Sequence, residues 1–371
     1  MKHTFAKLTP VALACGLAMN PVMAEDKLSV HGQINVSADM VDITPLAGKN
    51  NVLGRMQGTE LSSNASRFGF SGSLDTTLEN TKLIYKADVQ YTAVGNNSDG
   101  AGEGDTGDGA LYMRDAYAGL KHKDLGRVRM GRFTVGYKSS YTKIDPWTDH
   151  ILQARDKGQQ GASNLNSNYF NYAVDYTSPK MNGFQVNAHY SVLADENMDS
   201  LHNSGKLKDM AGGSAHGFGV KYFNGGLRLT ADTLTIDSEN DLGVTGGAGV
   251  NNGKAKNGTA NKVSARYKFK STGTSIAGMY EDVTDLNLGE NMFAVVTQKV
   301  GKYGLLTASI GTNKASDDNA YSQDDDSLHY ALGAKYKLTD KSALIAGWNQ
   351  YERGDAEAMA FTVGIDAKFG Y

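Results

Sequence analysis

Apolar and polar residues alternate along much of this chain with a period of two. In "TKLIYKADVQYT", Leu83, Tyr85, Ala87, Val89 and Tyr91 fall on one face, and Lys82, Lys86, Asp88 and Gln90 on the other. "NKVSARYKFK" repeats the theme, with Val263, Ala265, Tyr267 and Phe269 set against Lys262, Arg266, Lys268 and Lys270. The chain closes on "EAMAFTVGIDAKFGY", in which Met359, Phe361, Val363, Ile365, Ala367, Phe369 and Tyr371 share a face. That period is the signature of β-strands with one apolar side. A soluble sandwich and a membrane barrel both produce it, so alternation alone does not choose between them.

The connections choose. Sixteen candidate strands have cores near 28–39, 62–74, 81–93, 111–121, 126–134, 168–178, 183–192, 216–223, 227–236, 261–270, 273–283, 291–300, 303–313, 327–338, 342–351 and 358–371. Short links such as "KDLG", "NGG" and "VGKYG" alternate with long ones at 41–60, 94–110, 135–167, 193–215, 237–260 and 314–326. Tight turns at one end, long loops at the other and an even strand number predict an all-β, 16-stranded antiparallel transmembrane β-barrel. Sixteen strands enclose an aqueous channel rather than a packed core. The last strand closes on the first, "KLSVHGQINVSAD", and Phe369 and Tyr371 become interfacial aromatics.

Composition sharpens this reading. Gly is 44, Tyr 19 and Pro only 5 in 371 residues, which suits many hydrogen-bonded strands. Residues 1–24 read as a secretory signal peptide, with Lys2 and Lys7 ahead of a short apolar core and "VMA" before the cut. The sole cysteine, Cys15, lies inside that segment. Losing Lys2 and Lys7 moves the formal net charge from −3 to −5, and no basic tract remains, which argues against nucleic acid. No stretch approaches 18 consecutive apolar residues, so an exported chain of this kind enters a membrane only as a closed barrel.

"SRFGFSGSLD" (66–75), "MRDAYAGLKHKDLGRVRMGR" (113–132), "DPW" (145–147) and "NSNYFNYAVDYTSPKMNGFQVNAHYS" (166–191) carry a resemblance to the trimeric general porins of Gram-negative outer membranes, especially the neisserial and bordetellal type. The resemblance covers residues 25–371. It implies a homotrimer in the outer membrane, inserted by the barrel-assembly machinery among lipid and lipopolysaccharide. It also implies a constriction loop at 133–167 folded into the lumen. Trp147, Ile151 and Leu152 would anchor that loop, with a small helix around 146–155. The implied function is a water-filled channel for passive diffusion of small hydrophilic solutes and ions, with no enzyme activity and no cofactor. The alternative is a substrate-selective channel on the same barrel. It would need a lumenal row of aromatics or a dense ladder of one sign, and neither emerges from the alternation.

The resemblance sets a basic wall against acidic loop residues. Arg67 has the parity of a lumenal residue, because Phe68 and Phe70 then face lipid. For Arg114, Ala116 and Ala118 share its face and Tyr117 points away. Arg132 shares the parity of Val128 and Met130, so it faces outward unless a bulge intervenes. Lys82 is lumenal by pattern. The acidic candidates are Asp145, Asp149 and Asp156. "NLNS" (164–167) lacks an arginine common in the family, which would widen the eyelet or shift it toward cations. The acidic stretches 99–109 and 316–326 read as solvated loops, with weak divalent-cation binding as the other reading. The scattered histidines have no metal-ligand spacing.

Overall fold

The computed structural model describes residues 27–44, 57–94, 111–155, 160–192, 213–237, 257–315 and 325–370. Its strands are β1 (Lys27–Thr44), β2 (Gly58–Ser63), β3 (Arg67–Asp75), β4 (Thr81–Gln90), β5 (Tyr112–His122), β6 (Gly126–Phe133), β7 (Phe170–Thr177), β8 (Phe184–Val192) and β9 (Ser214–Asn224). They continue as β10 (Leu227–Asp237), β11 (Gly258–Phe269), β12 (Thr274–Asp282), β13 (Glu290–Val300), β14 (Gly304–Lys314), β15 (Ser327–Thr339), β16 (Ser342–Arg353) and β17 (Ala356–Gly370). One helix, α1 (Gly136–Tyr141), follows β6.

Both β2 and β3 pair with β1, and they are two halves of a single barrel position. The break falls at Asn64–Ser66, where the Asn64 amide donates to the Asn35 carbonyl and Ala65 has φ 56°. Sixteen staves result. Each pairs antiparallel with its sequence neighbour, and β1 pairs with β17 from His31–Gly370 to Thr44–Glu357, so the sheet is closed and has no edge. The apolar face of the last strand is the outer face: Phe361, Val363, Ile365 and Phe369 are exposed there, while Ala360 and Thr362 are buried inside. Tyr371 lies outside the described residues.

The strand parity reverses its meaning near the long-loop end. Lower on β1, Leu28, Val30 and Ile34 point out and Gln33, Asn35 and Asp39 point in. Higher up, Val41 and Ile43 are inward and buried, packed with Trp147 and Ile151. Water-filled lumen calls for polar inward residues; where a loop fills the lumen, apolar ones are stabilised instead. Three such clusters line the wall, gathered about Tyr137, Trp147 and Tyr141. The segment after β6 therefore lies inside the barrel.

The helix expected around 146–155 is instead at Gly136–Tyr141. Residues 146–155 form successive turns, because Asp145 and Pro146 open a tight bend and Asp149 takes φ 71°. Side-chain bonding by Asp to its own backbone two residues on competes with a helix.

Candidate functional site

Chain entry into the lumen is set by local chemistry. The Asp145 carboxylate accepts from the Trp147 amide (2.8 Å), from the Ala154 amide (3.0 Å) and from the Tyr141 hydroxyl. The Tyr141 oxygen in turn accepts from the Arg155 amide at 3.0 Å. Asp145 thus closes the loop tip upon itself and is buried, and burial raises its carboxyl above the usual range despite these bonds. It does not face open lumen.

The wall grips the loop through the loop's carbonyls. Lys262 donates to Tyr137 O (2.5 Å) and Asn166 Oδ1 (2.6 Å), Arg266 to Lys143 O (2.5 Å), Lys335 to Pro146 O (2.7 Å) and Asn349 to Ile151 O (2.8 Å). Glu281 on β12 accepts from Tyr137 Oη (2.7 Å), Ser163 N (2.7 Å) and Oγ (3.0 Å), Asn166 Nδ2 (2.7 Å) and Asn291 Nδ2 (3.2 Å). Trp147 and Leu152 lie over paired inward glycines, Gly333 and Gly347, where any Cβ would overlap them. Close approach of this kind requires glycine.

With the loop fixed, Asp149 stands against the opposite wall. Its carboxylate is 2.5 Å from Arg155 on the loop, 3.6 Å from Arg67 on β3 and 3.7 Å from Arg114 on β5. Burial alone would raise Asp149, but Arg114, Arg155 and Arg67 outweigh it and hold the carboxyl well below the usual range. Arg114 also donates to Gln90 Oε1 (2.5 Å), and Arg155 donates to Gln153 Oε1 (2.8 Å) and Asn166 O (2.8 Å). Arg155 lies beside the "NLNS" turn and adds a loop cation there.

Beside this group the half-buried Tyr169 ring is ringed by cations: Lys138 at 3.8 Å, Arg132 at 5.0 Å and Arg114 at 5.3 Å. Arg132 reaches it because the β6–β7 register shifts between Gly131 and Phe133, with Gly131 at φ 134°. That bulge turns the guanidinium to Met113 O (2.8 Å) and Asn171 Oδ1 (2.6 Å) rather than to lipid.

Lys82 is elsewhere. It pairs with Asp75 at 3.0 Å beside the short β3–β4 turn, eight residues from Gln90, the partner of Arg67. At 3.4 Å per residue that is roughly 27 Å along the strand. Asp156 and the acidic stretch 99–109 lie outside the described residues, as does most of 316–326. Among the described residues no cluster of three or more His, Cys, Asp or Glu side chains is placed to hold a metal.

Two features escaped sequence reasoning. The β4–β5 register shifts between Ala87 and Val89, so Arg114 and Asp115 both face inward and the parity beyond them flips. Tyr117 therefore points into the lumen, opposite Lys86 and 4.9 Å from Arg129, not toward lipid. Arg129 itself bonds Asp175 at 2.5 Å inside the barrel. Its parity, opposite to outward Val128 and Met130, was available in "RVRM".

Comparisons agree with this architecture. An outer membrane porin protein of Bordetella pertussis is 25% identical over 253 residues, 65% of this chain and 61% of that protein's length. The anion-selective porin from Comamonas acidovorans has a similar fold, with a TM-score of 0.68 at 15% identity over 93% of this chain and all of that one. OmpT of Vibrio cholerae superposes with a TM-score of 0.61 at 13% identity, over 94% and 99% of the two chains. The barrel fold and the family match support an outer-membrane channel. The Gram-negative porin family matches residues 10–369, and the chain belongs to that family.

Proposed function

We propose that this chain is an open diffusion porin for small hydrophilic solutes and ions, with a constriction built by residues 133–167 and a preference for anions. The observation that carries the reading is the convergence of Arg67, Arg114 and Arg155 on the single carboxylate of Asp149. Fixed charges at the narrowest ring set which ions enter and how polar solutes orient. The basic wall residues are Arg67, Arg114 and Arg132, and Asp149 is their acidic counterpart. Asp145 serves instead to hold the loop's shape, and Lys82 belongs to the short-turn mouth. The anion-selective character of the Comamonas acidovorans porin supports the sign of the preference.

The working unit is a homotrimer of the neisserial and bordetellal type, delivered to the outer membrane by cleavage after Ala24 and folded by recognition of Phe369 and Tyr371. A trimer form of Vibrio cholerae OmpT supports this assembly. Purified protein in a planar bilayer tests the proposal. Ohmic steps that close in three equal decrements, with a reversal potential of anionic sign under a KCl gradient, are expected. A folded barrel that conducts nothing, or one that prefers cations, would refute it.

A further inference from the structure

The short-turn half of the lumen contains a cationic cluster that the Asp149 site does not use. On β4, β5 and β6, Lys82 lies opposite Lys121, and Lys121 opposite Arg127. On β10 and β11, Arg228 lies opposite Arg266. Like charges directly opposite on one sheet face destabilise it; Asp75 offsets Lys82 and the Lys143 carbonyl accepts from Arg266. Lys121, Arg127 and Lys221 line a single cavity of about 1100 Å³. Among the described residues no carboxylate lines that cavity; its polar lining includes Ser71, Ser73 and Ser178.

Partial compensation exists and is instructive. Arg127 reaches Thr177 Oγ1 at 3.1 Å and stands 3.6 Å from Asp175, yet its buried Nε has no partner among the described residues. Lys221 leans on Ser139 Oγ of α1 at 3.3 Å, which places the cavity directly beneath the inward loop. Adjacent strands are about 4.8 Å apart. Lys121 and Arg127, directly opposite on neighbouring strands, are spaced for two linked anionic groups rather than for one small ion.

We infer that this cavity is a binding site for a multivalent oxyanion, a solute bearing adjacent phosphate or carboxylate groups, held between Lys121, Arg127 and Lys221. The inference rests on the anion-channel reading and adds a residence site to it. A solute that passes the Asp149 ring pauses here before leaving by the short-turn mouth, and one that enters from that mouth is trapped below the ring.

Pyrophosphate is the probe. Single channels in symmetrical KCl, with pyrophosphate added to each side in turn, should show transient interruptions whose frequency rises with concentration. The K121Q/R127Q double variant should raise the half-blocking concentration at least about tenfold, the loss of one charge-assisted contact or more. The K121R/R127K variant should retain the block and report that the barrel is intact. Interruptions no more frequent than those from sulfate at equal ionic strength would overturn the site, as would an unchanged block in the glutamine variant. The KCl reversal potential separates the two ideas. An anionic sign without pyrophosphate block removes this site alone, whereas a cationic sign removes the anion-channel reading and the site with it.

Discussion

Glu281→Gln tests whether the loop is latched as described. Each Glu281 oxygen accepts from several donors: Oε1 from Tyr137, Ser163 Oγ and Asn166, and Oε2 from the Ser163 amide and Asn291. An amide NH₂ in either place faces at least two donors and can accept from neither. Hydrogen bonds to a charged group contribute about 1.5–3 kcal/mol each. The change also takes from Lys262, which is fully buried beside Tyr137 and Asn166, the larger of the two carboxylate charges, Glu281 and Asp232, that offset it. Removing one partner from a buried charge pair costs about 3–5 kcal/mol. These two figures describe the same loss and do not add, so the latch should weaken by about 3–5 kcal/mol, a factor of roughly 2 × 10² to 5 × 10³ in the docked-to-undocked ratio. The barrel ladder is untouched, and heat-modifiable mobility on gels should persist. Single-channel records should acquire flicker between conductance levels, and trypsin should cut at Lys138 or Lys143. A variant as quiet and as protease-resistant as the parent would show that the network does not hold the loop.

Other expectations follow from the same geometry. His150 is buried on the loop with neither ring nitrogen bonded among the described residues, and burial, helped by Lys335, lowers its pKa to about 4. An undocked His150 titrates near 6.5, so docking is fully supported above that pH and loses about 3 kcal/mol as pH falls to 4. Asp145, raised by burial, acts in the opposite sense near the carboxylate range. Acid should therefore increase flicker, and His150→Gln should flatten that dependence between pH 6.5 and 4. Gly333→Val should expel Trp147 from its slot at about 3–5 kcal/mol, read as a red shift in tryptophan fluorescence with the barrel intact. Asp149→Asn should move the reversal potential further toward anions and Arg114→Gln should move it back; no change in either would disprove the proposed ring. Met130→Lys, on the lipid face, should destabilise the barrel by about 2–4 kcal/mol in urea titration if it sits near the midplane.

Most of the barrel is legible in the sequence because lipid and water impose opposite demands on alternate residues. Val263 against Lys262, or Phe361 against Thr362, leaves the strand no other register. Legibility fails where the backbone departs from two residues per repeat. The shift near Asp88 turned Tyr117 inward, and the one at Gly131 turned Arg132 toward Tyr169. A bulge leaves no mark in hydropathy beyond a glycine or a broken alternation. The loop deceived in another way. Trp147, Ile151 and Leu152 have helix-like spacing, yet the Asp145 turn and the left-handed Asp149 forbid a helix, while "GYKSSY" becomes helical with no apolar period. Its fold is decided by wall donors such as Lys262 and Lys335, which lie more than a hundred residues away. Arg67 and Arg114 could be nominated from motif and parity, but the distance between their guanidiniums and Asp149 depends on that long-range docking.

Charge-selective chemical modification at Asp149 tests the central claim most directly. The only cysteine, Cys15, lies in the segment read as the leader, so Asp149→Cys should create a single reactive thiol in the exported protein. If Asp149 lines the constriction, a small charged methanethiosulfonate added to open channels will lower conductance in discrete steps. Cationic and anionic reagents will then displace the reversal potential in opposite directions. Reaction of the thiol with no change in either quantity would place the constriction elsewhere.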